Sequence, residues 1–245
     1  PLLDKTDAGM QCDKIYNPTV WFDEDAGIYH MWFAADVTNL GTQIGHATSA
    51  DGLDWVADPH NPVIGVDEMA GTDFSAFTPG DVIVDAGGVM HMFYGGLLQV
   101  GQQIQYAVGH ATSTDGSRWD LHGGEPILQG APGQWDSMVV AFPDVFFHDA
   151  TYYLFYAGSS TVANQGSFYY VDNAQLGYAT SADAIHWERQ TPDEPLPLGY
   201  VNPGYPRVYF VNDRLHIWFT DRWPAALPAG GEQDRAWLNY GIIDW

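Results

Sequence analysis

The sequence predicts an all-β chain assembled from repeated four-stranded antiparallel units, and three observations carry that prediction. A ten-residue stretch recurs as HATSADGLDW (46–55), HATSTDGSRW (110–119) and YATSADAIHW (178–187), 64 and then 68 residues apart. Ahead of each copy lie two runs rich in Val, Ile, Phe, Tyr and Trp, bounded by Gly, Asp, Asn and Pro, which is the signature of strands and hairpins. No segment keeps a 3.6-residue apolar period with caps at both ends, so helices are not expected. Self-similarity at this period marks a repeat architecture, and a four-stranded antiparallel unit repeated in this way is the blade of a β-propeller.

The first strand of each unit is PTVWF (18–22), PGDVIV (79–84), PDVFF (143–147) and PRVYF (206–210), and its valines Val20, Val82, Val145 and Val208 stand 62, 63 and 63 residues apart. The second strand is IYHMWFAA (28–35), VMHMFYGG (89–96), YYLFYAG (152–158) and LHIWFTD (215–221). The third strand ends in the recurring Ser-x-Asp-Gly-x-x-Trp turn. Its aspartates (Asp51, Asp115, Asp183) can accept backbone amides two residues on, and its glycine takes a positive φ without steric cost. Trp55, Trp119 and Trp187 each point a large ring between neighbouring blades. The fourth strand follows as a proline-led fragment, NPVIG (61–65), EPILQG (125–130) and EPLPLG (194–199). Four blades are therefore expected near 18–65, 79–130, 143–199 and 206–245, within one domain of 245 residues. Residues 1–6 are expected to supply the missing outer strand of the last blade and so remove an open sheet edge. The alternative is a five-bladed ring lacking one unit.

Composition narrows the function. Against 31 acidic residues stand 8 basic ones, a formal charge of −23. That field repels a nucleic-acid backbone and an anionic membrane surface, and no apolar run approaches the ~18 residues that span a bilayer. With Cys12 alone, no intramolecular disulfide can form. Two lysines beside an aspartate excess suit an extracellular or periplasmic setting. The sequence does not indicate an oligomeric state. His46 and His110 share their slot with Tyr178 and Tyr240, which makes them packed strand residues rather than metal ligands. The same holds for His30, His91 and His216. No metal ligand set or cofactor motif is read here, although the aspartate turns leave room for a structural calcium.

Chemistry in such a ring belongs near the first strands, which line the central channel. The residues just before the four valines are Thr19, Asp81, Asp144 and Arg207. Two carboxylates and a guanidinium facing inward would be costly without partners or a purpose. They read either as a channel plug, with Arg207 pairing an aspartate, or as a polar site. Around them lie the loops AADVTNLGTQ (34–43), GGLLQVGQQ (95–103), SSTVANQGSFYYVDN (159–173) and TDRWPAALPAGGEQDR (220–235). Loops of this length are more often functional than connective. Asp36, Tyr169, Tyr170, Asp221, Arg222 and Trp223 on these loops can offer hydrogen bonds and a stacking face to a sugar.

The units NPTVWFDEDAGIYHMWFAA…IGHATSADGLDW…NPVIG and AFPDVFFHDATYYLFYAGSS…LGYATSADAIHW resemble the five-bladed propeller superfamily of glycoside hydrolases, families 43 and 32 among them. Four repeats are visible here. The resemblance implies a carbohydrate partner and three acidic positions on successive blades. The third-blade acid slot in FPDV holds Asp144, and the second-blade slot in PGDV holds Asp81. The first-blade slot, before the proline of YNPTV, holds Asn17, and an amide can neither take a proton nor attack as a carboxylate does. Two functions follow from these residues. One is a glycoside hydrolase with Asp144 as general acid and Asp81 as base or modulator, and the other is a non-catalytic propeller that binds glycans or assembles with other chains.

Overall fold

The computed structural model describes residues 3–121, 123–165, 168–171, 173–198, 203–222 and 236–244. Among the described residues the chain is all-β apart from one four-residue helix. It divides into two compact units: residues 1–103 with 108–126, and residues 104–107 with 127–245.

The first unit holds two repeats. In the first, β1 (Lys14–Asp23), β2 (Ile28–Val37), β3 (Gly41–Ser49) and β4 (Val56–Ala57) pair in chain order, all antiparallel. The short helix α1 (Val66–Met69) leads to the second repeat of β5 (Phe74–Val84), β6 (Met90–Val100), β7 (Gln103–Ser113) and β8 (Asp120–Leu121).

The second unit holds β9 (Leu128–Gln129), a short strand. Then come β10 (Val139–His148) and β11 (Thr151–Ser159), the hairpin β12 (Val162–Gln165) and β13 (Phe168–Val171), and β14 (Gln175–Ser181) with β15 (Glu188–Arg189). The last repeat is β16 (Pro203–Val211), β17 (Arg214–Arg222) and β18 (Ala236–Asp244), a three-stranded sheet among the described residues.

Cross-strand packing explains why these sequences pair in this register. Directly opposite each other stand Phe33 and Gly45, and Tyr156 and Gly177. A Cβ added at Gly45 would lie 2.5 Å from the Phe33 ring, and one at Gly109 would lie 2.2 Å from the Tyr94 ring. The glycine in HATS and YATS copies is therefore the floor on which a large buried ring lies. The next residues along these strands, His46 and His110, are buried as expected, stacking on His30 and His91 respectively.

The recurring turn behaves as its sequence predicts. Asp51 accepts the amides of Leu53 and Asp54 at 2.8 and 2.9 Å, Asp115 those of Ser117 and Arg118, and Asp183 those of Ile185 and His186. Gly52, Gly116 and Ala184 follow with φ of 74°, 75° and 66°. Each tryptophan then folds back, Nε1 donating to the carbonyl three residues earlier. In the first unit the turn also joins two repeats. Trp32 of β2 is fully buried, donates to the Gly116 carbonyl at 2.9 Å and meets Trp119 edge-on at 5.8 Å.

Three expectations are corrected. Residues 3–6 form no strand. Asp4 accepts Thr6 and Asp7 in a local turn, Ala8 is buried beside Phe33 and Ala47, and Asn61 Nδ2 holds the Ala8 carbonyl at 2.8 Å. The segment is used to cover the first repeat, so it is not free to extend as an edge strand. The fourth strands are split: two-residue β4, β8 and β15 pair after the turn, while the proline-led fragment returns along the start of the third strand, as in Val63 N to Ile44 O and Leu196 N to Leu176 O. Proline has no amide to continue a ladder. The aromatic loop 159–173 contains the hairpin β12–β13. The four key valines also differ in burial. Val82, Val145 and Val208 are 4–6% exposed, whereas Val20 is 52% exposed.

A buried relay runs through the first unit. Asp58 Oδ2 lies 2.9 Å from His46 Nδ1, and His46 Nε2 lies 3.1 Å from His30 Nδ1. A carboxylate can only accept, so Nδ1 of neutral His46 carries the proton and its Nε2 accepts from His30. Burial pushes Asp58 up, but the hydrogen bonds from His46, Ser117 and His60 outweigh it and hold the carboxyl below its ordinary range. Burial lowers His46 despite Asp58, and burial then His46 lower His30.

Trp119→Ala should destabilise the protein by about 3–5 kcal/mol, and more than Trp55→Ala, whose ring is only half-buried. Chemical denaturation of both variants checks the order. Because the folded state holds His30 and His46 below their ordinary value, the unfolded chain binds protons first. Stability should be full above about pH 6.5 and fall as the pH drops below it. Unfolding midpoints between pH 8 and 5 should show that fall, and His30→Phe should reduce it.

Candidate functional site

Each first strand breaks its ladder just before its valine. The registers shift between Tyr16 and Thr19, Ala141 and Asp144, and Gly204 and Arg207, and in β5 between Pro79 and Asp81. Three of these bulges share one construction. The residue before the proline takes a positive φ: Asn17 at 47°, Phe142 at 56° and Tyr205 at 51°. Asparagine tolerates that region, but for bulky side chains it is a genuine outlier. Bulges re-aim the side chains that follow them and recur beside functional sites. The re-aimed residues are Thr19, Asp81, Asp144 and Arg207.

In the second unit two of them meet. Arg207 Nη1 donates to Asp144 Oδ1 at 2.8 Å, and the Val208 amide donates to Asp144 Oδ2 at 2.6 Å. The Asp144 side chain is 7% exposed and that of Arg207 41%, so the guanidinium reaches from a buried carboxylate towards solvent. Both carboxylate oxygens accept from donors, the arrangement of an ionised acid in a charge-assisted pair. Beside it the two strained aromatics Phe142 and Tyr205 stack with centroids 3.9 Å apart. The aligned positions before the four valines had offered an aspartate as partner to Arg207, and Asp144 is that aspartate.

The second unit also contains a fully buried acid that the sequence does not single out. Asp136 is fully buried, and its Oδ2 accepts Tyr156 Oη at 2.8 Å and Arg189 Nε at 2.9 Å. Asp13 and Asp73, at comparable places in the sequence, are exposed.

The remaining candidates are placed as follows. Asp81, in the first unit, is half-buried and accepts the Val82 amide at 2.9 Å. Asn17 is half-buried at its bulge. Asp36 is drawn into the frame of its own repeat: Lys14 lies 3.0 Å away, and Tyr16 Oη and Thr42 Oγ1 both donate at 2.7 Å. These three contacts fasten β1 and β3 to β2. Tyr169 and Tyr170 lie on β13, opposite Asn164 and Ala163, with their side chains outside the description. Asp221 and Arg222 end β17 opposite Trp237 and Ala236, again without described side chains, and Trp223 lies outside the described residues. Among the described residues, no cluster of three His, Cys, Asp or Glu could hold a metal, and no helix is long and apolar enough to cross a membrane.

No family model matches the chain. An uncharacterised protein of Mycobacterium tuberculosis (strain ATCC 25618 / H37Rv), Rv1502, is 29% identical over 144 residues, 56% of this chain and 45% of that relative, so the match spans about half of its length. Among solved structures, a thermostable family-43 glycoside hydrolase superposes with a TM-score of 0.66 at 17% identity, covering 94% of this chain and 71% of the other. The Bombyx mori GH32 beta-fructofuranosidase BmSUC1 gives 0.66 at 16% identity, covering 93% and 46%. The chain thus has the β-propeller fold of family-43 and family-32 glycoside hydrolases.

Removing the guanidinium would leave Asp144 buried and charged. Arg207→Met should therefore destabilise by about 2–3 kcal/mol, below the range for fully buried pairs because Arg207 is partly in water. Adding Asp144→Asn should recover part of that loss. Urea denaturation of the single and double variants measures both.

Proposed function

We propose that this chain binds carbohydrate at the bulged first strands of its second unit, β10 and β16, on a propeller of the glycoside-hydrolase fold. One observation carries the reading: Asp144, the residue in the acid slot, is buried and held by Arg207 and the Val208 amide. A carboxylate in that arrangement is a fixed negative charge and an anchor for the guanidinium. It is a poor proton donor to a leaving group, because protonation would break its pair. Asn17 in the first-blade slot removes a second carboxylate. The exposed edge of Arg207 and the stacked Phe142 and Tyr205 then supply hydrogen bonds and an apolar face, the two things a sugar ring needs from a protein surface. Fold alone does not assign an activity, so the reading rests on these side chains.

Hydrolysis is the second reading, favoured by Asp81, a half-buried carboxylate at the equivalent strand position that accepts the Val82 amide. The acidic surface suits an extracellular or periplasmic setting, and the reading calls for no cofactor.

Polysaccharide retention and release of reducing sugar from the same polysaccharides separate the two. Retention without release is the expected result. Release by the parent that disappears in Asp81→Asn would replace binding by hydrolysis, and neither retention nor release across a broad panel would remove carbohydrate from the account.

A further inference from the structure

The first unit has a cavity of about 620 Å³ on the flank of its first repeat, and neither Asn17 nor Asp81 lines it. Its walls come from the segment before β1 (Met10 and Asp13), the β2–β3 turn (Leu40), and Asn61 with Pro62, with Gln43 completing the lining. The volume lies within the range of small-molecule sites, ~300–1,000 Å³.

The walls are built rather than accidental. Asn61 spends its whole amide on backbone: Oδ1 accepts His46 N at 2.7 Å, and Nδ2 donates to the carbonyls of Ala8 and His46 at 2.8 and 2.9 Å. That pins the N-terminal segment against the sheet. Across the cavity Thr38 Oγ1 donates to Asp13 Oδ2 at 2.5 Å, and Asp13 N to the Asp36 carbonyl at 2.8 Å, so the opposite wall is tied to β2.

Gln43 is the group out of balance. It is 2% exposed, and its Nε2 makes no hydrogen bond. A buried amide donor without an acceptor costs about 1–3 kcal/mol, and native structures keep few such groups without a reason. A rotation about the broad terminal torsion of the side chain turns this donor to the cavity, where a ligand oxygen would complete it.

We propose that this cavity is a second binding site, for a small uncharged polyhydroxyl molecule such as a monosaccharide or linear polyol. The lining chemistry selects the class. Gln43 offers a donor, Asp13 and Thr38 offer acceptors at the opposite wall, and Met10, Leu40 and Pro62 give apolar surface. A molecule that both donates and accepts, and carries C–H faces, satisfies all three. An anion meets a chain of formal charge −23, whose field repels it. A cation finds no aromatic ring in the lining and one carboxylate already engaged by Thr38.

This site is independent of the one holding Asp144. Isothermal titration of the chain with a panel of neutral monosaccharides and polyols, beside their uronic-acid and amino-sugar analogues, tests it. At least one neutral member should bind. Gln43→Leu should weaken that binding about three- to tenfold, the worth of one hydrogen bond, with an unfolding midpoint at or above that of the parent. Leu40→Arg, on an exposed turn position, should block the cavity without touching the core, and Asp144→Asn should leave this binding unchanged. Binding of charged analogues alone, no binding by any member, or binding indifferent to both Gln43→Leu and Leu40→Arg would each overturn the proposal. Loss in Asp144→Asn with Gln43→Leu silent would place all sugar binding at the other site and end this one.

Discussion

An aspartate carboxylate that accepts two successive backbone amides fixes the geometry of every repeat that carries it. Asp51, Asp115 and Asp183 close their turns in the same way, and each closure leaves one residue with a positive φ and throws a tryptophan back over the turn. The turn thereby sets where the third strand stops. A strand that stops at a fixed point has a fixed register, and register decides which side chains face the core. From that follow the ring-on-glycine pairs, such as Phe33 over Gly45, and the buried position of His46, the next residue along β3. The Gly116 carbonyl shows how far the consequence reaches. It accepts from its own Trp119 and from Trp32 of the preceding repeat, so one turn organises two sheets.

The opposite constraint acts on the first strands. There the ladder is interrupted just before the valine, at the cost of positive φ angles on Asn17, Phe142 and Tyr205. Strain of this kind persists only where surrounding packing over-determines it. Buried Pro143 and Pro206, and the stack of Phe142 on Tyr205, provide that packing in the second unit. What the bulge gains is a change of aim for Asp144 and Arg207, which then satisfy one another. A charged pair that would be expensive on an ordinary core strand becomes tolerable because each oxygen of the carboxylate has its donor.

The likeness to family-43 and family-32 hydrolases therefore concerns a scaffold, and the side chains on it depart from a simple carry-over. Asn17 cannot take up a proton or attack as a carboxylate does, and Asp144 is committed to an arginine. Asp36 is also committed, since Lys14, Tyr16 and Thr42 spend it on holding three strands together. Within one repeat the same residue type serves opposite ends: Asp36 is structure, while Asp13 borders an open cavity.

The sequence by itself determined the all-β class, the positions of the repeated strands and the chemistry of the turns, because these depend on contacts only a few residues long. A Ser-x-Asp-Gly turn, a period-two strand and an x-Pro bulge are all written locally. The tertiary structure alone decided which charges meet. Arg207 and Asp144 are 63 residues apart, and Trp32 and Gly116 are 84 apart. The repeat places Arg207 level with Asp81 and Asp144, but does not say which of the two it meets. It also decided that residues 3–8 fold onto the first repeat instead of extending, since Asn61 captures the Ala8 carbonyl across 53 residues. The unpaired amide of Gln43 was likewise illegible, because a missing hydrogen bond is a property of everything packed around a side chain and of no residue in particular.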